Sequence, residues 1–526
     1  MSASSLNSLL TRLRSLDIKI WLEGERLRYS APAGVMAAEL REQLVARKAE
    51  IIDFLRGAAQ VALPHPPPLV AVDRADQLPV SFAQRRMWFL DQLNKGNTTF
   101  NNPRAFHLTG PLNTESLQDA LNLMVQRHET LRTVYRTVEG EPAQIILPLA
   151  KVIMRRFSVE SLKRDQRLGR ATDLVKELRE EPFDLQRDLG IRAALIKLDS
   201  NEHVLGVVMH HIISDNWAEW VFFQELGAAY NSISVGLEPE LPALPIQCAD
   251  FAVWQRQYMQ GKVLDEHLSY WMTKLRDIPA VLTLPLDRPR PAVQTYRGAT
   301  EPFSFSAELS AAVRELSQRH GVTVFMLLLA VYKVMLCRYT NEEDIVVGSP
   351  IANRTARETE NLVGIFINTL VLRTDCSDNP AFEELLRRVR ETALGAYAHQ
   401  DLPFEMLVEK LQPERSLSYH PLFQVMFVHH NTPAVELSLR GIKAAEIQVK
   451  HSNAKFDLCL SIQDEGELLD GWVEYSADLF DAPTIKRLIG HFHTLLEGFL
   501  ARPERRLWDF EMITAEEREE LLALAG

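Results

Sequence analysis

The stretch Met209-His210-His211-Ile212-Ile213-Ser214-Asp215 places two adjacent histidines ahead of an aspartate that follows four residues later. Residues 204–209, just before it, form a continuous apolar run, which predicts a buried strand. After it, aromatic and apolar residues recur at helical spacing from position 217 to 226. A loop between a buried strand and a helix sits on a rigid scaffold, so it can present a side chain into a cleft.

The residue types in this loop suit proton transfer. Neighbouring residues at a strand end point to opposite sides, so one histidine can face a cleft while the other packs inward. Histidine takes or relays a proton near neutral pH. We expect Asp215 to anchor the loop by pairing with an arginine rather than to act as the acid of a triad. The alternative is that His210 and His211 are hydrogen-bonded core residues and Asp215 caps the following helix.

Composition narrows the class of protein. The 526 residues are 46% hydrophobic and 24% charged, values typical of a folded globular chain. The net charge of −12 disfavours a nucleic-acid binder. Four scattered cysteines lack metal-ligand spacing, so we expect neither a metal site nor a disulfide scaffold, and a cytoplasmic location fits. No signal peptide and no membrane-spanning helix is predicted.

The chain divides at a proline-rich stretch. Residues 1–60 carry nine Lys or Arg against seven Asp or Glu, a net of +2, whereas the remainder carries −14. Residues 61–77 contain Pro64-His65-Pro66-Pro67-Pro68 and predict a stiff, extended linker. Strands and helices alternate from Leu78 onward. The pattern of the first sixty residues predicts an αββα unit, with elements over 4–16, 18–22, 27–29 and 35–56.

Seven segments resemble the condensation domain of nonribosomal peptide synthetases, over about residues 78–510. They stand in the order of that family's motifs: 81–90 (SFAQRRMWFL), 127–132 (RHETLR), 210–215 (HHIISD), 249–255 (ADFAVWQ), 363–369 (VGIFINT), 399–405 (HQDLPFE) and 415–422 (RSLSYHPL). Seven motifs in family order make the resemblance specific, which the histidine loop alone does not.

The resemblance implies an α/β (α+β) fold of two chloramphenicol-acetyltransferase-like lobes in a V shape, here expected over 78–255 and 256–512. A tunnel between the lobes would admit a phosphopantetheine arm from each side. The implied reaction is acyl transfer, in which the α-amine of an acceptor aminoacyl thioester attacks a donor acyl thioester and an amide bond forms. The arms belong to partner carrier proteins, so neither a covalently bound cofactor nor a metal is expected.

The same resemblance implies roles for residues of the loop. His211 would face the tunnel, where it could deprotonate the amine or position it, and His210 and Asp215 would complete the catalytic motif. Arg354 is the candidate partner of Asp215 and would support the loop. Asn216 stands where the family usually has glycine. It could replace glycine conformationally, as a residue that tolerates left-handed backbone and caps helices, or narrow the acceptor side.

Other positions bear on the subtype. Arg127 and Arg132, in the second segment, are expected to be structural. Heterocyclisation relatives carry aspartate at the position of His210, and epimerisation relatives usually carry tryptophan at the position of Glu219. His210 and Glu219 therefore favour a condensation domain over a heterocyclisation or epimerisation domain.

Residues 1–60 resemble the TubC-like N-terminal docking domain. In that family a β-hairpin binds a short C-terminal segment of the upstream synthase subunit by strand addition. The candidate hairpin is 18–29, with Lys19, Arg26 and Arg28 available for acidic partner residues. Residues 513–526 resemble the start of a linker toward an adenylation domain. Downstream adenylation and carrier domains are therefore further expected partners.

Two other functions fit parts of the sequence. A catalytically silent gate or recruitment platform would keep the fold without the chemistry, but the intact His211 and Asp215 argue against it. A free-standing acyltransferase that uses coenzyme A thioesters would share a His-x-x-x-Asp motif, but the docking-like N-terminus argues against it. A polyketide synthase and a peptide synthetase both fit as the upstream subunit.

Overall fold

The computed structural model of the chain falls into two compact units, Met1–Pro67 and Pro68–Gly526. The structure describes residues 19–23, 26–30, 44, 48, 66–74, 77–414, 416–430, 435–449, 453–465 and 468–525. The predicted helix over 4–16 lies outside these residues, as does that over 35–56 apart from the helical Leu44 and Lys48.

The first unit contains the expected hairpin. Strands β1 (Lys19–Glu23) and β2 (Arg26–Ser30) pair antiparallel, with Trp21 opposite Arg28 and Glu23 opposite Arg26. Because strand positions alternate between two faces, the positions of Lys19, Arg26 and Arg28 fall on one face of this hairpin.

The second unit alternates strands and helices throughout. Its strands are β3 (Leu78–Pro79), β4 (Asn101–Thr109), β5 (Thr133–Val138), β6 (Glu141–Ile146), β7 (Arg155–Ser158), β8 (Ile191–Asp199), β9 (Glu202–His210), β10 (Gly298–Ser304), β11 (Asp344–Ile351), β12 (Asn368–Asp375), β13 (Val425–His430), β14 (Lys443–Ile447), β15 (Leu458–Glu465) and β16 (Leu468–Ser476). Its helices are α1 (Phe82–Leu93), α2 (Thr114–Arg127), α3 (Arg164–Glu180), α4 (Asn216–Ile233), α5 (Cys248–Tyr258), α6 (Gly261–Lys274), α7 (Ala307–Arg319), α8 (Val324–Thr340), α9 (Phe382–Ala398), α10 (Phe404–Leu411), α11 (Ala482–Ala501) and α12 (Ala515–Ala525).

A five-stranded sheet, in the order β14-β4-β9-β8-β7, carries the histidine loop. The predicted apolar run lies in β9, which is buried from His203 to His210. Helix α3 packs on β9 at Gly206, where a Cβ would lie 2.6 Å from a methyl carbon of Val175. The absence of a side chain at Gly206 therefore lets the helix approach the strand that ends in the loop. Strands β3, β6 and β5 form a separate small sheet.

A six-stranded sheet, in the order β10-β16-β15-β13-β11-β12, forms the other half of the unit. Helix α8 packs in its hydrophobic core and is buried from Met326 to Cys337. None of the described helices is by itself long and apolar enough to cross a membrane. The pair α7 and α8, bent by 103°, passes that test together by length and composition.

One strand from the second half of the sequence joins the sheet of the first half. Strand β14 comes from the second half in sequence, yet it pairs antiparallel with β4 of the first sheet. Leu437, Leu439 and Val449 beside it pack in the core of the first sheet. The lobes expected from sequence are the continuous ranges 78–255 and 256–512. They assign β14 to the second lobe, although it pairs in the first sheet.

Part of the predicted linker is fixed to the second unit. The Arg74 guanidinium donates two hydrogen bonds to Asp250, at 2.6 and 2.9 Å, and a third to Glu129 at 2.8 Å. The backbone N–H of Val72 also donates to Asp250, at 2.8 Å, and Leu69 packs against a small apolar cluster. Because Asp250 is fully buried, residues 68–74 form part of the folded body rather than a free spacer.

Candidate active site

Backbone hydrogen bonds hold both histidines at the end of β9. The N–H of His210 donates to the carbonyl of Gly190, and that of His211 donates to the carbonyl of Phe100, each at 2.8 Å. Phe100 directly precedes β4, so the loop is tied to a strand next to its own. The backbone at the two histidines is therefore set by the sheet.

His210 points inward. It is 2% exposed, and its Nδ1 accepts a hydrogen bond from the Ile212 N–H at 3.1 Å. Nδ1 is therefore unprotonated, and Nε2 carries the ring proton. Burial and the neighbouring His211 lower the pKa of His210 to about 3, so the ring is neutral at physiological pH.

His211 is partly exposed and has the opposite tautomer. Its Nδ1 lies 2.6 Å from the carbonyl oxygen of Ser214, which can only accept, so Nδ1 carries the proton. This leaves a lone pair on Nε2. Burial, with the charge of Lys455 as the next cause, lowers the pKa of His211 to about 4. The side chain is therefore a neutral proton acceptor at pH 7.

Asp215 makes three kinds of contact. One carboxylate oxygen accepts from the N–H of Ala218 at 2.8 Å, which caps helix α4. The other accepts from the N–H of Phe366 at 2.9 Å. The guanidinium of Arg354 lies 3.3 Å from the first oxygen, and both side chains are buried. Asp215 is thus both the helix cap and the partner of an arginine, two roles that sequence reasoning treated as alternatives.

Arg354 ties the loop to the segment that contains Phe366. It donates hydrogen bonds to the carbonyl oxygens of Thr359, Leu362 and Gly364, and its guanidinium lies 4.1 Å from the ring centroid of Phe366. These contacts and the pairing with Asp215 occupy the buried guanidinium. The arrangement is suited to holding the loop in place rather than to binding a substrate.

Asn216 is the first residue of α4, and its side chain is exposed. Its φ is not positive, and the cap of the helix is Asp215. Asparagine therefore supplies neither a left-handed backbone nor the helix cap at this position, and the alternative, that its side chain narrows the acceptor side, stays a prediction.

Arg127 and Arg132 are both engaged in hydrogen bonds and ion pairs within the protein. Arg127 donates two hydrogen bonds to Glu225, both at 2.9 Å, and the buried His128 donates to the same carboxylate at 2.6 Å. Arg132 donates to the carbonyl of Leu147 and pairs with Glu129 at 3.5 Å. These contacts fasten the end of α2 to α4 and to the short segment that follows.

Sequence reasoning missed a cation whose charge acts on His211. Arg86, on α1, lies 3.5 Å from the carboxylate of Glu405 and 3.2 Å from Nε2 of His420. Its charge contributes to the lowered pKa of His211. The three residues belong to the first, sixth and seventh of the motif segments, so their shared motif membership was the available signal.

The structure also bears on metal binding and docking. No group of three or more His, Cys, Asp or Glu residues arranged to hold a metal ion occurs in the part of the chain that is described. The side chains of Lys19, Arg26 and Arg28 lie outside that part, so only their backbone positions in the hairpin are known.

Comparison with known proteins decides the family. Residues 74–522 match the Condensation domain family, which covers most of the chain. The chain belongs to the condensation-domain family. Residues 6–57 match the TubC N-terminal docking domain.

Curated relatives of this condensation domain are peptide synthetases. A linear gramicidin synthase of Brevibacillus parabrevis is 42% identical over 87% of this chain. Phosphinothricin tripeptide synthetase PhsC of Streptomyces viridochromogenes is 38% identical over 87% of the chain. The matched regions are 6% and 42% of those proteins. The chain therefore corresponds to one part of each of these longer proteins.

Solved structures share its fold. The X-domain from teicoplanin biosynthesis has a TM-score of 0.78 at 30% identity, covering 85% of this chain and all of that one. The first condensation domain of the calcium-dependent antibiotic synthetase has a TM-score of 0.69 at 19% identity, covering 84% of this chain and all of that one.

Proposed function

We propose that this condensation domain forms an amide bond between a donor acyl or peptidyl thioester on an upstream carrier protein and an aminoacyl thioester on a downstream one. The observation that carries the proposal is the state of His211. Its Nδ1 is committed to the Ser214 carbonyl, which leaves Nε2 as a free acceptor. The ion pair of Asp215 with Arg354 fixes the loop that carries this group.

In this reaction the protein holds both substrates and accepts a proton. A free amine attacks a thioester readily, so tethering both substrates on phosphopantetheine arms supplies much of the rate. The neutral His211 accepts the proton that the nitrogen loses as the C–N bond forms, and it returns that proton to the departing thiolate. No covalent acyl-enzyme is needed in this scheme.

Residues 1–60 recruit the upstream subunit in this proposal. The match to the TubC docking family and the antiparallel hairpin β1–β2 support it. By register the positions of Lys19, Arg26 and Arg28 share one face of the hairpin with Glu23, so that face has a net positive charge that would suit an acidic C-terminal tail.

The test compares the form in which the donor is supplied. Purified chain is mixed with an acceptor-loaded carrier protein and with one acyl group, presented either on an upstream carrier protein or as a soluble coenzyme A thioester. Amide product from the carrier-bound donor alone is expected. Equal turnover of the coenzyme A thioester would instead support a free-standing acyltransferase. Mixing residues 1–60 with the tail of the preceding subunit tests docking, and no binding at high micromolar concentration would overturn it.

One comparison favours a second candidate, a silent recruitment platform. The X-domain from teicoplanin biosynthesis, which shares this fold, is also known in a complex with OxyB. A platform role for the present chain would leave amide formation independent of His211. Replacing the His211 side chain therefore distinguishes the two candidate functions.

A further inference from the structure

A lysine that no sequence motif contains acts electrostatically on His211. The Lys455 ammonium is 5.0 Å from the ring centroid of Phe100. The carbonyl of that same Phe100 accepts the hydrogen bond from the His211 N–H. The cation and the imidazole thus share one neighbouring residue, and the positive charge of Lys455 lowers the pKa of His211.

The backbone around Lys455 is fixed on both sides. The side-chain Nε2 of Gln294 donates to the carbonyl of Lys455 at 3.0 Å, and the N–H of Ala454 donates to the carbonyl of Tyr296 at 2.8 Å. Gly298 makes this approach possible, because a Cβ there would lie 2.5 Å from the nitrogen of Ala454. Two residues on, Asp457 pairs with Arg290. The lysine is therefore held by its surroundings rather than carried on a free loop.

The ammonium contacts the Phe100 ring but makes no close ion pair in the described part of the chain. Among the described residues, no carboxylate lies within ion-pairing distance of Lys455 and its side chain donates no hydrogen bond. By contrast, the neighbouring cation Arg86 is occupied by Glu405 and His420. Burial lowers the pKa of Lys455. The charge of Glu474 offsets part of the cost of desolvating this cation, and a negative charge that appears beside the ammonium during function would offset more of it.

We propose that Lys455 stabilises the oxyanion formed when the acceptor amine adds to the donor thioester beside His211. This inference rests on the proposed amide-forming function. As the amine nitrogen bonds to the carbonyl carbon, the C=O electron pair moves to oxygen and His211 accepts the proton from nitrogen. When the C=O bond re-forms, the C–S bond breaks and the thiolate takes that proton. Amide and thiol are the products, and no oxidant or reductant is involved.

The variants separate charge from packing. Lys455→Met removes the cation and keeps the length of the side chain, whereas Lys455→Arg keeps the charge. Lys443→Met, on exposed β14, is the matched control. We expect Lys455→Met to lower the single-turnover rate of amide formation by about 100-fold, the effect of removing one oxyanion-stabilising group. Lys455→Arg is expected to retain most of the rate, and Lys443→Met all of it. A Lys455→Met rate within twofold of wild type would overturn the proposal.

A second readout does not depend on catalysis. The charged and titratable groups that act on these two side chains are Asp215, Arg86, Arg179, Glu474 and Cys459. Removing the Lys455 charge relieves repulsion of the imidazolium, so the pKa of His211 rises. We expect NMR titration of carbon-13-labelled histidine to show this rise in Lys455→Met, with the signal assigned through His211→Asn. An unchanged His211 pKa would overturn the proposal for Lys455, whether or not wild type forms amide. A wild type that forms no amide would instead count against the proposed function alone.

Discussion

The carboxylate of Asp215 and the guanidinium of Arg354 lie 3.3 Å apart and are both buried, although 139 residues separate them in sequence. The pair joins the first helix turn after the histidine loop to the segment that ends at Phe366. The loop is therefore held by two distant parts of the chain.

Breaking this pair should destabilise the domain. Arg354→Met leaves the Asp215 charge buried without its cation, and this kind of change costs about 3–5 kcal/mol. Chemical denaturation of the purified chain measures the loss. The matched control is Arg387→Met, which removes an arginine from an exposed pair with Glu384 and should change stability little. Equal stability of the two variants would contradict the structural role of Arg354.

Acid should unfold the protein partly through His210. Its folded pKa of about 3 lies below the ordinary value of 6.5, so the unfolded chain binds a proton that the folded chain excludes. The stability contributed by neutral His210 is complete above pH 6.5 and is lost as pH falls toward 3. Between pH 7.5 and 5 the loss from this one residue is about 2 kcal/mol.

The test for His210 compares the stability that wild type and a variant lose between pH 7.5 and pH 5. His210→Asn keeps an acceptor for the Ile212 N–H and cannot titrate. Denaturation curves at pH 7.5 and 5 should show a smaller loss of stability in the variant than in wild type. Parallel losses would show that His210 is not kept neutral by the fold.

The segment 68–74 should exchange hydrogen slowly. The N–H of Val72 donates to the buried Asp250, and Arg74 holds the same carboxylate. We expect the Val72 amide to be protected in wild type and to lose much of that protection in Arg74→Ala, as measured by hydrogen-exchange mass spectrometry. Fast exchange of Val72 in wild type would mean that segment 68–74 is not held on Asp250 in solution.

Local patterns predicted much of the fold and only part of the site. The apolar run 204–209 was visible as a strand because burial on both faces leaves no polar residue in it. The pairing of Asp215 with Arg354 came from the resemblance, since nothing local links residues so far apart. The exchange of β14 was not predicted, because its pattern of exposed and half-buried residues carries no mark of its partner. Lys455 was missed for the same reason, since only the folded chain places it near His211.

The most direct measurement is the single-turnover rate of amide formation by wild type and His211→Ala, with donor and acceptor both loaded on carrier proteins. His320→Ala, far along the chain on the end of α7, controls for loss of a histidine. Removing a general base costs about 100-fold or more, so the account predicts a fall of that size in His211→Ala and none in His320→Ala. Product formed by His211→Ala at the wild-type rate would contradict it.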